Sequence, residues 1–303
     1  MGGRRLVSNP PVSIVIVTHD EGDMLRHTVE ALARTAPDAE LVVVDDDSSD
    51  GSAAFLSLPR WREVTRVRSG RRLGVAAARN LGARRATAQL LVFSDAHVEP
   101  GPGWVEMLLD AVADPATAAA GPAITDLVRQ RSTYGYGFTW ADSSMTAHWL
   151  IERPDGPSAV PFLAGCFVAT SRRLFDELGG FDGGLRTWGH EDAEYSLRVW
   201  LSGYRCVVVP GARVAHRFRS TFAYEVDPAT VLHNRLRIGV LHLSPGGLRR
   251  LLRDARFDPN FPAAFQMLMT SDVWRRRDAI RARRSRSDEW FFERFGIRAF
   301  ASP

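Results

Sequence analysis

The sequence predicts an α/β fold with a mostly parallel, doubly wound sheet, and three observations lead there. Continuous β-branched runs alternate with stretches of helical apolar spacing through the first part of the chain. Their order is strand, helix, strand, which right-handed crossovers turn into parallel neighbours. Polar and acidic clusters fall where the strands stop, and open α/β sheets bind ligands at those carboxyl ends.

Residues 12–18, Val-Ser-Ile-Val-Ile-Val-Thr, read as a buried parallel strand. Residues 23–34 place Met24, Leu25, Val29 and Leu32 at helical spacing. Residues 40–44 form a second strand running into Asp45, Asp46 and Asp47, and residues 64–68 a third. An alanine-rich helix over 74–86 leads to a fourth strand, 90–94, and residues 104–113 form another helix. Residues 115–161 turn irregular and aromatic, with Tyr134, Tyr136, Phe138, Trp140 and Trp149. A sugar-stacking wall and a core-covering loop account for them equally well. Residues 162–170 read as a strand carrying Gly165 and Cys166, and 171–178 as a short helix. Trp188, Gly189, His190, Glu191 and Asp192 open a helix over 193–202, where the two acids favour the helix dipole and could simply be caps. Gly203 ends that helix, 205–210 is a strand, and amphipathic helices follow at 229–243 and 248–256.

Hydrophobic content of 45% permits a sizeable core. All 39 basic residues are arginine, and the net charge is +4. Arg275, Arg276, Arg277, Arg281, Arg283, Arg284 and Arg286 crowd the tail, as for an anionic surface partner or a solvated helix face. No recognition motif accompanies them, so nucleic acid is not expected as a partner. Cys166 and Cys206 make neither a disulfide framework nor a zinc spacing and read as buried free thiols. The first eleven residues are too polar for a signal peptide. No apolar run approaches the roughly 20 residues that span a bilayer, so a cytoplasmic protein without a transmembrane segment is expected.

Asp95 and His97 stand two positions apart after the fourth strand, so a carboxylate and an imidazole can point the same way. Such a pair suits a divalent metal such as Mn²⁺, although an isolated Asp-x-His is more often a turn cap beside a solvated histidine. Acidic strand ends repel a bare diphosphate but accept one bridged by a cation. No phosphate-binding P-loop and no Gly-x-Gly-x-x-Gly after a strand is present.

Six segments, taken in order, carry a resemblance: Ile16 to Glu21 with Leu25 to Val29; Val44-Asp45-Asp46; Gly74 to Arg79; Ser94 to Glu99 with Gly103-Trp104; Trp188 to Glu191; and Val214 to Arg219. Together they resemble family 2-like glycosyltransferases of GT-A fold, and look like the catalytic domain of the polypeptide N-acetylgalactosaminyltransferases. Bacterial family 2 enzymes and the galactosyltransferase and chondroitin-synthase group share the Gly-Phe-Asp…Trp-Gly-x-Glu-Asp segment.

The resemblance implies a GT-A fold with a helical C-terminal extension. Its parts would be a flexible N-terminus (1–11), a catalytic domain (12–245, divided at 114 into nucleotide and acceptor halves) and a basic extension (246–303). It implies a UDP-sugar site at Thr18, His19, Glu21, Asp46, Arg79, Asp95, Ala96, Trp188 and Arg219. Within it Thr18 would meet the uracil edge, Arg79 would reach the donor and Arg219 the phosphates. Asp95, His97 and His216 would hold Mn²⁺ or Mg²⁺. The expected reaction moves a hexose or N-acetylhexosamine to a hydroxyl of a peptide Ser or Thr, a glycan or a natural-product scaffold. Asp192 stands where the retaining polypeptide enzymes usually have Asn, and in inverting relatives that carboxylate is the general base, with Glu191 on a sugar or acceptor hydroxyl. The metal trio suits the retaining cousins, so stereochemistry stays open, and a non-catalytic nucleotide-sugar-binding scaffold is the alternative. The tail is expected to cover the acceptor cleft or to mediate a homodimer.

Overall fold

The computed structural model describes residues 10–129, 133–219 and 224–300, so all but the last two residues of the expected flexible N-terminus lie outside it. In chain order, β1 (Ser13–Thr18), α1 (Asp23–Thr35), β2 (Glu40–Asp45), β3 (Thr65–Arg68), α2 (Val75–Arg85) and β4 (Leu90–Asp95) form the doubly wound half. β5 (Val98–Pro100), α3 (Trp104–Ala113), β6 (Thr117–Asp126), β7 (Phe138–Trp140), β8 (Ala147–Trp149) and β9 (Ser158–Ala159) follow. Then come β10 (Phe167–Ser171), α4 (Arg172–Leu178), α5 (Glu191–Leu201) and β11 (Arg205–His216). The chain closes with α6 (Pro228–His242), α7 (Pro245–Ala255), α8 (Phe261–Met269), α9 (Val273–Arg281) and α10 (Asp288–Arg294).

The main sheet runs β3-β2-β1-β4-β10-β6-β11-β5, and a separate hairpin joins β7 to β8. β10 is antiparallel to both neighbours, β4 and β6, while β3, β2, β1 and β4 are parallel in succession. The period-two alternation sorts the buried strand residues onto two faces. Val15, Val42, Val44, Leu91 and Phe93 face one core with α2 and α4 to α6. Ile14, Ile16, Leu41, Val43 and Val92 face the other, under Leu25, Val29 and Leu32 of α1 and Trp104 and Leu108 of α3.

Three boundaries differ from those expected. The irregular stretch contains β6, a ten-residue strand at the middle of the sheet. Its alanines carry little strand signal, and its Pro122 pairs with Val209 at the edge of the β11 bulge that precedes the pair Arg213–Ala123. β10 starts at Phe167, and Gly165 and Cys166 form a turn at its mouth. β11 continues past Pro210 to His216.

The C-terminal helices pack on α6 and α5. Trp290 and Phe295 stack against Trp200 with ring centroids 6.2 and 5.0 Å away, and Phe291 lies 5.4 Å from Phe162. These aromatics therefore face the core, and among the described residues none of 246–300 lines the main cavity. No helix among the described residues is long and apolar enough to cross a membrane.

Candidate active site

A cavity of about 680 Å³ opens at the carboxyl ends of β1, β2 and β4. β4 delivers Asp95 to its rim, and the chain bends through Ala96 and His97 into β5. β5 pairs antiparallel with the end of β11, with His216 opposite Val98, and the Arg217 N–H donates to the His97 carbonyl at 3.0 Å. That pairing brings together two histidines separated by more than a hundred residues. Their rings lie 4.8 Å apart, and His216 Nε2 is 3.4 Å from Asp95 Oδ2. Asp95, His97 and His216 each offer a donor atom, all within 4.8 Å of one another. Both ring nitrogens of His216 and Nδ1 of His97 are buried without a hydrogen-bond partner. Orphaned imidazole nitrogens are costly, and a divalent cation with borderline N/O preference would satisfy them, so the trio fits a metal. His97 Nδ1 also lies 3.2 Å from Glu21, whose carboxylate pairs with Arg219. Burial opposes ionisation of Asp95, but the adjoining His216 ring and the Arg79 guanidinium outweigh it and hold this carboxyl well below the usual range.

The other side of the cavity is built from loops after β1 and β2. His19 Nδ1 lies 2.7 Å from the Asp46 carbonyl, and its ring meets Tyr224 edge-on at 5.2 Å. Arg72 stacks over the other part of that wall, 4.2 Å from the Tyr224 ring. Asp46 accepts the N–H groups of Leu73 and Gly74 at 2.8 and 2.9 Å. Burial raises the Asp46 pKa, and those two N–H groups partly counter it. Gly74 has φ 86°, and a Cβ there would lie 2.8 Å from the Thr187 nitrogen, so only glycine lets α2 start against the loop before α5.

Opposite the trio stands the first turn of α5. Glu191 and Asp192 both lie there, at the positive end of the helix dipole. Asp192 Oδ2 accepts the Gly165 N–H at 3.0 Å and Oδ1 the Ala193 N–H at 2.8 Å. Burial, reinforced by the neighbouring Glu191 charge, pushes the Asp192 carboxyl up to about 7. His190, the residue preceding the helix, is held at φ 69°, a conformation costly for a non-glycine side chain. Burial, with the Arg235 charge behind it, pulls the His190 imidazole down to about 4.

Beneath these groups lies Arg79, only 1% exposed. Its Nη2 donates to Asp95 Oδ1 at 2.9 Å and to the Gly165 carbonyl at 2.7 Å, and its Nη1 donates to Glu191 at 3.1 Å. One guanidinium thus ties the metal-side carboxylate, the first turn of α5 and the turn that holds Asp192.

His19, Glu21, Asp46, Asp95, Ala96, His97, Trp188, Glu191, Asp192, His216 and Arg219 all line the cavity. Thr18 and Arg79 do not. Thr18 is buried in the sheet, and Arg79 stands behind the cavity wall. Sequence reasoning missed Arg72, Tyr224 and His190; of the aromatics in residues 115–161, Phe138 and Trp149 line the cavity, with Met145 of the loop between β7 and β8 beside them. Arg72 and Tyr224 sit in loops without periodicity. His190 carries no sequence signal; its positive φ, at a position where glycine would be the natural residue, is set by the tertiary structure.

Comparison with known proteins agrees with this geometry. The model of glycosyl transferase family 2 matches residues 13–179, and that of the N-terminal domain of galactosyltransferase matches residues 147–221. Human polypeptide N-acetylgalactosaminyltransferase 15 is 33% identical over 252 residues, covering 76% of this chain and 39% of that protein. Putative polypeptide N-acetylgalactosaminyltransferase 13 of Drosophila melanogaster is 31% identical over 244 residues, covering 72% of this chain and 43% of that protein. The chain thus spans about two fifths of the length of the curated relatives it matches. Among solved structures, GalNAc-T7 with UDP, GalNAc and Mn²⁺ has a TM-score of 0.75 at 25% identity, covering 95% of this chain and 57% of that one. The mannosyltransferase PcManGT from Pyrobaculum calidifontis, in complex with GDP-Man and Mn²⁺, has a TM-score of 0.53 at 22% identity, covering 90% of this chain and 74% of that one, a likeness of fold alone.

Proposed function

This chain belongs to glycosyl transferase family 2, and we propose that it moves a hexose or N-acetylhexosamine from a UDP-sugar to a hydroxyl acceptor. The observation that carries this is the trio of Asp95, His97 and His216, with its orphaned ring nitrogens, opening on the same cavity as Asp192. Mn²⁺ or Mg²⁺ held there would neutralise charge on the leaving nucleoside diphosphate. His19, Tyr224 and Arg72 form a walled slot suited to the base and ribose. Arg219, paired with Glu21, is placed to add a charge-assisted contact to phosphate oxygens. Asp192, with a carboxyl near neutrality, is a base that can take the acceptor hydroxyl's proton at working pH, which supports inversion.

One observation favours a second reading. Both Asp192 oxygens already accept backbone N–H groups, as in a residue that shapes the turn at Gly165. A retaining transfer without a protein base accommodates that, and the likeness to polypeptide N-acetylgalactosaminyltransferases leans the same way. Part of the same proposal is a cytoplasmic location, supported by two buried free thiols, Cys166 and Cys206.

The test is incubation with a panel of UDP-sugars and acceptors in the presence and absence of Mn²⁺. Metal-dependent donor turnover, lost in His97→Ala, is expected, and proton NMR of the product's anomeric centre decides between the two routes. Metal-independent UDP binding without hydrolysis or transfer across the panel refutes the enzyme and leaves the scaffold.

A further inference from the structure

The tail arginines that dominate the sequence are largely engaged inside the fold. Arg281 donates to the Leu243 carbonyl at 3.2 Å and Arg284 to that of His242 at 2.7 Å, at the end of α6. Arg283 donates to the Glu177 carbonyl at 2.9 Å, at the end of α4, and Arg286 to that of Trp200 at 3.3 Å, in the last turn of α5. Each cation meets a helix C-terminus, where carbonyls lack partners and the dipole is negative. Among the described residues these contacts account for the clustering without an outside partner.

A second set of arginines, on α7 and the adjoining face of α9, is exposed or half-buried, and Arg253 pairs with its neighbour Asp254 at 3.2 Å. Arg249, Arg253, Arg256 and Arg277 surround a shallow surface groove of about 760 Å³. Its floor is aliphatic, made by Pro245, Leu248 and Leu252. Of the acids nearby, Asp254 is bonded to Ser143 Oγ at 2.6 Å and Arg253 at 3.2 Å, Asp258 lies 3.7 Å from Arg235, and Asp272 is 2.9 Å from Arg237. Exposed rings lie beside two of these arginines. Arg256 stacks 4.5 Å from the Phe257 ring, which is 76% exposed, and Arg277 stacks 5.6 Å from Trp274, which is 45% exposed.

Cationic heads on an aliphatic floor, flanked by aromatic rings in water, match a headgroup interface: the guanidiniums find phosphates and the rings find the acyl boundary. A soluble polyanion would satisfy the arginines but leave Phe257 and Trp274 in water. We propose that this face docks on the surface of an anionic phospholipid bilayer.

Co-sedimentation of the full chain with vesicles tests this, comparing pure phosphatidylcholine with phosphatidylcholine mixed with phosphatidylglycerol. Binding to the mixed vesicles that weakens with added salt is expected. Each arginine near an anionic leaflet is worth about fivefold in partitioning, so Arg253→Glu with Arg256→Glu is expected to weaken binding by at least about twentyfold. Phe257→Ser with Trp274→Ser removes the part of binding that persists at high salt. All four side chains are exposed, so unchanged thermal transitions and unchanged donor turnover confirm folded variants. No preference for the anionic vesicles overturns the proposal. So does binding of polyglutamate or a DNA oligonucleotide as tightly as the vesicles and without loss in the Phe257 and Trp274 variants, which marks a soluble polyanion as the partner.

Discussion

Replacing Arg79 by methionine removes a buried guanidinium while keeping most of its aliphatic volume. Three hydrogen bonds are lost, two of them to carboxylates, leaving Asp95 and Glu191 side by side without their shared cation. Breaking a buried ion pair by deleting one partner costs about 3–5 kcal/mol. The Asp95 side chain is 27% exposed, so water screens part of that loss and places the cost at the lower end, about 3 kcal/mol. For a chain of this size roughly 2 °C is lost per kcal/mol, which predicts a Tm lower by about 6 °C. Asp95 has a depressed pKa in the fold, so its contribution is present above the ordinary carboxylate range and lost as pH falls. The variant lacks much of that contribution, so the gap between the two proteins should close on acidification. Mn²⁺ should also narrow it, by giving Asp95 a cation again. Scanning calorimetry and urea unfolding from about pH 7 down to about pH 2, with and without Mn²⁺, measure all three effects, and the gap should close below about pH 4. A gap below about 1 kcal/mol, or one that stays constant over this pH range, refutes the view of Arg79 as the buried counter-ion of the site.

Asp192→Asn is expected to lower kcat by about 10²–10⁴-fold with UDP affinity unchanged if Asp192 is the base. The wild-type rate should then rise with pH through about 7, and a loss under tenfold with a flat profile assigns Asp192 to turn geometry instead. Gly165→Ala places a Cβ 2.9 Å from the Asp192 Cβ, so kcat should fall while Mn²⁺ affinity, read by titration calorimetry, stays. Arg284→Met strips donors from the His242 and Arg286 carbonyls and from Asp288, so unfolding should ease by about 1–3 kcal/mol with kcat untouched.

The strands β1, β2 and β4 were legible because each is buried on both faces, which forces continuous β-branched runs. β6 was not, although it too is an interior strand of the sheet. Its Ala118, Ala119 and Ala120 are fully buried, and small residues there leave room for helices on both faces while carrying no strand propensity. The continuation of β11 to His216 hid behind Pro210 and Gly211, punctuation that normally ends a strand but here marks a bulge. Side-chain roles were less legible than positions. Arg79 was expected at the donor, yet only tertiary contacts decide whether a guanidinium faces a ligand or a pair of carboxylates. The tail arginines pose the same problem: composition counts charges and says nothing of which helix ends receive them.

Six short segments in register were informative because each is fixed by another, and the contacts show how. Gly74 must lack a Cβ because Thr187, just before Trp188, lies against it, and the Val75 N–H donates to the Thr187 carbonyl at 3.0 Å. Arg79, on the same helix, reaches Asp95 from the fourth segment and Glu191 from the fifth. The Asp95 N–H donates to the Cys166 carbonyl, and Gly165 in turn must be small to let Asp192 approach. His216 of the last segment reaches Asp95 and His97 through the pairing of β11 with β5. A change in one segment therefore strands a buried polar group or creates a clash in another, at a cost of order 1–3 kcal/mol each. Chance matches to single segments carry no such coupling. The site is one hydrogen-bonded frame around Arg79, and the order of the segments is the order in which the chain passes through it.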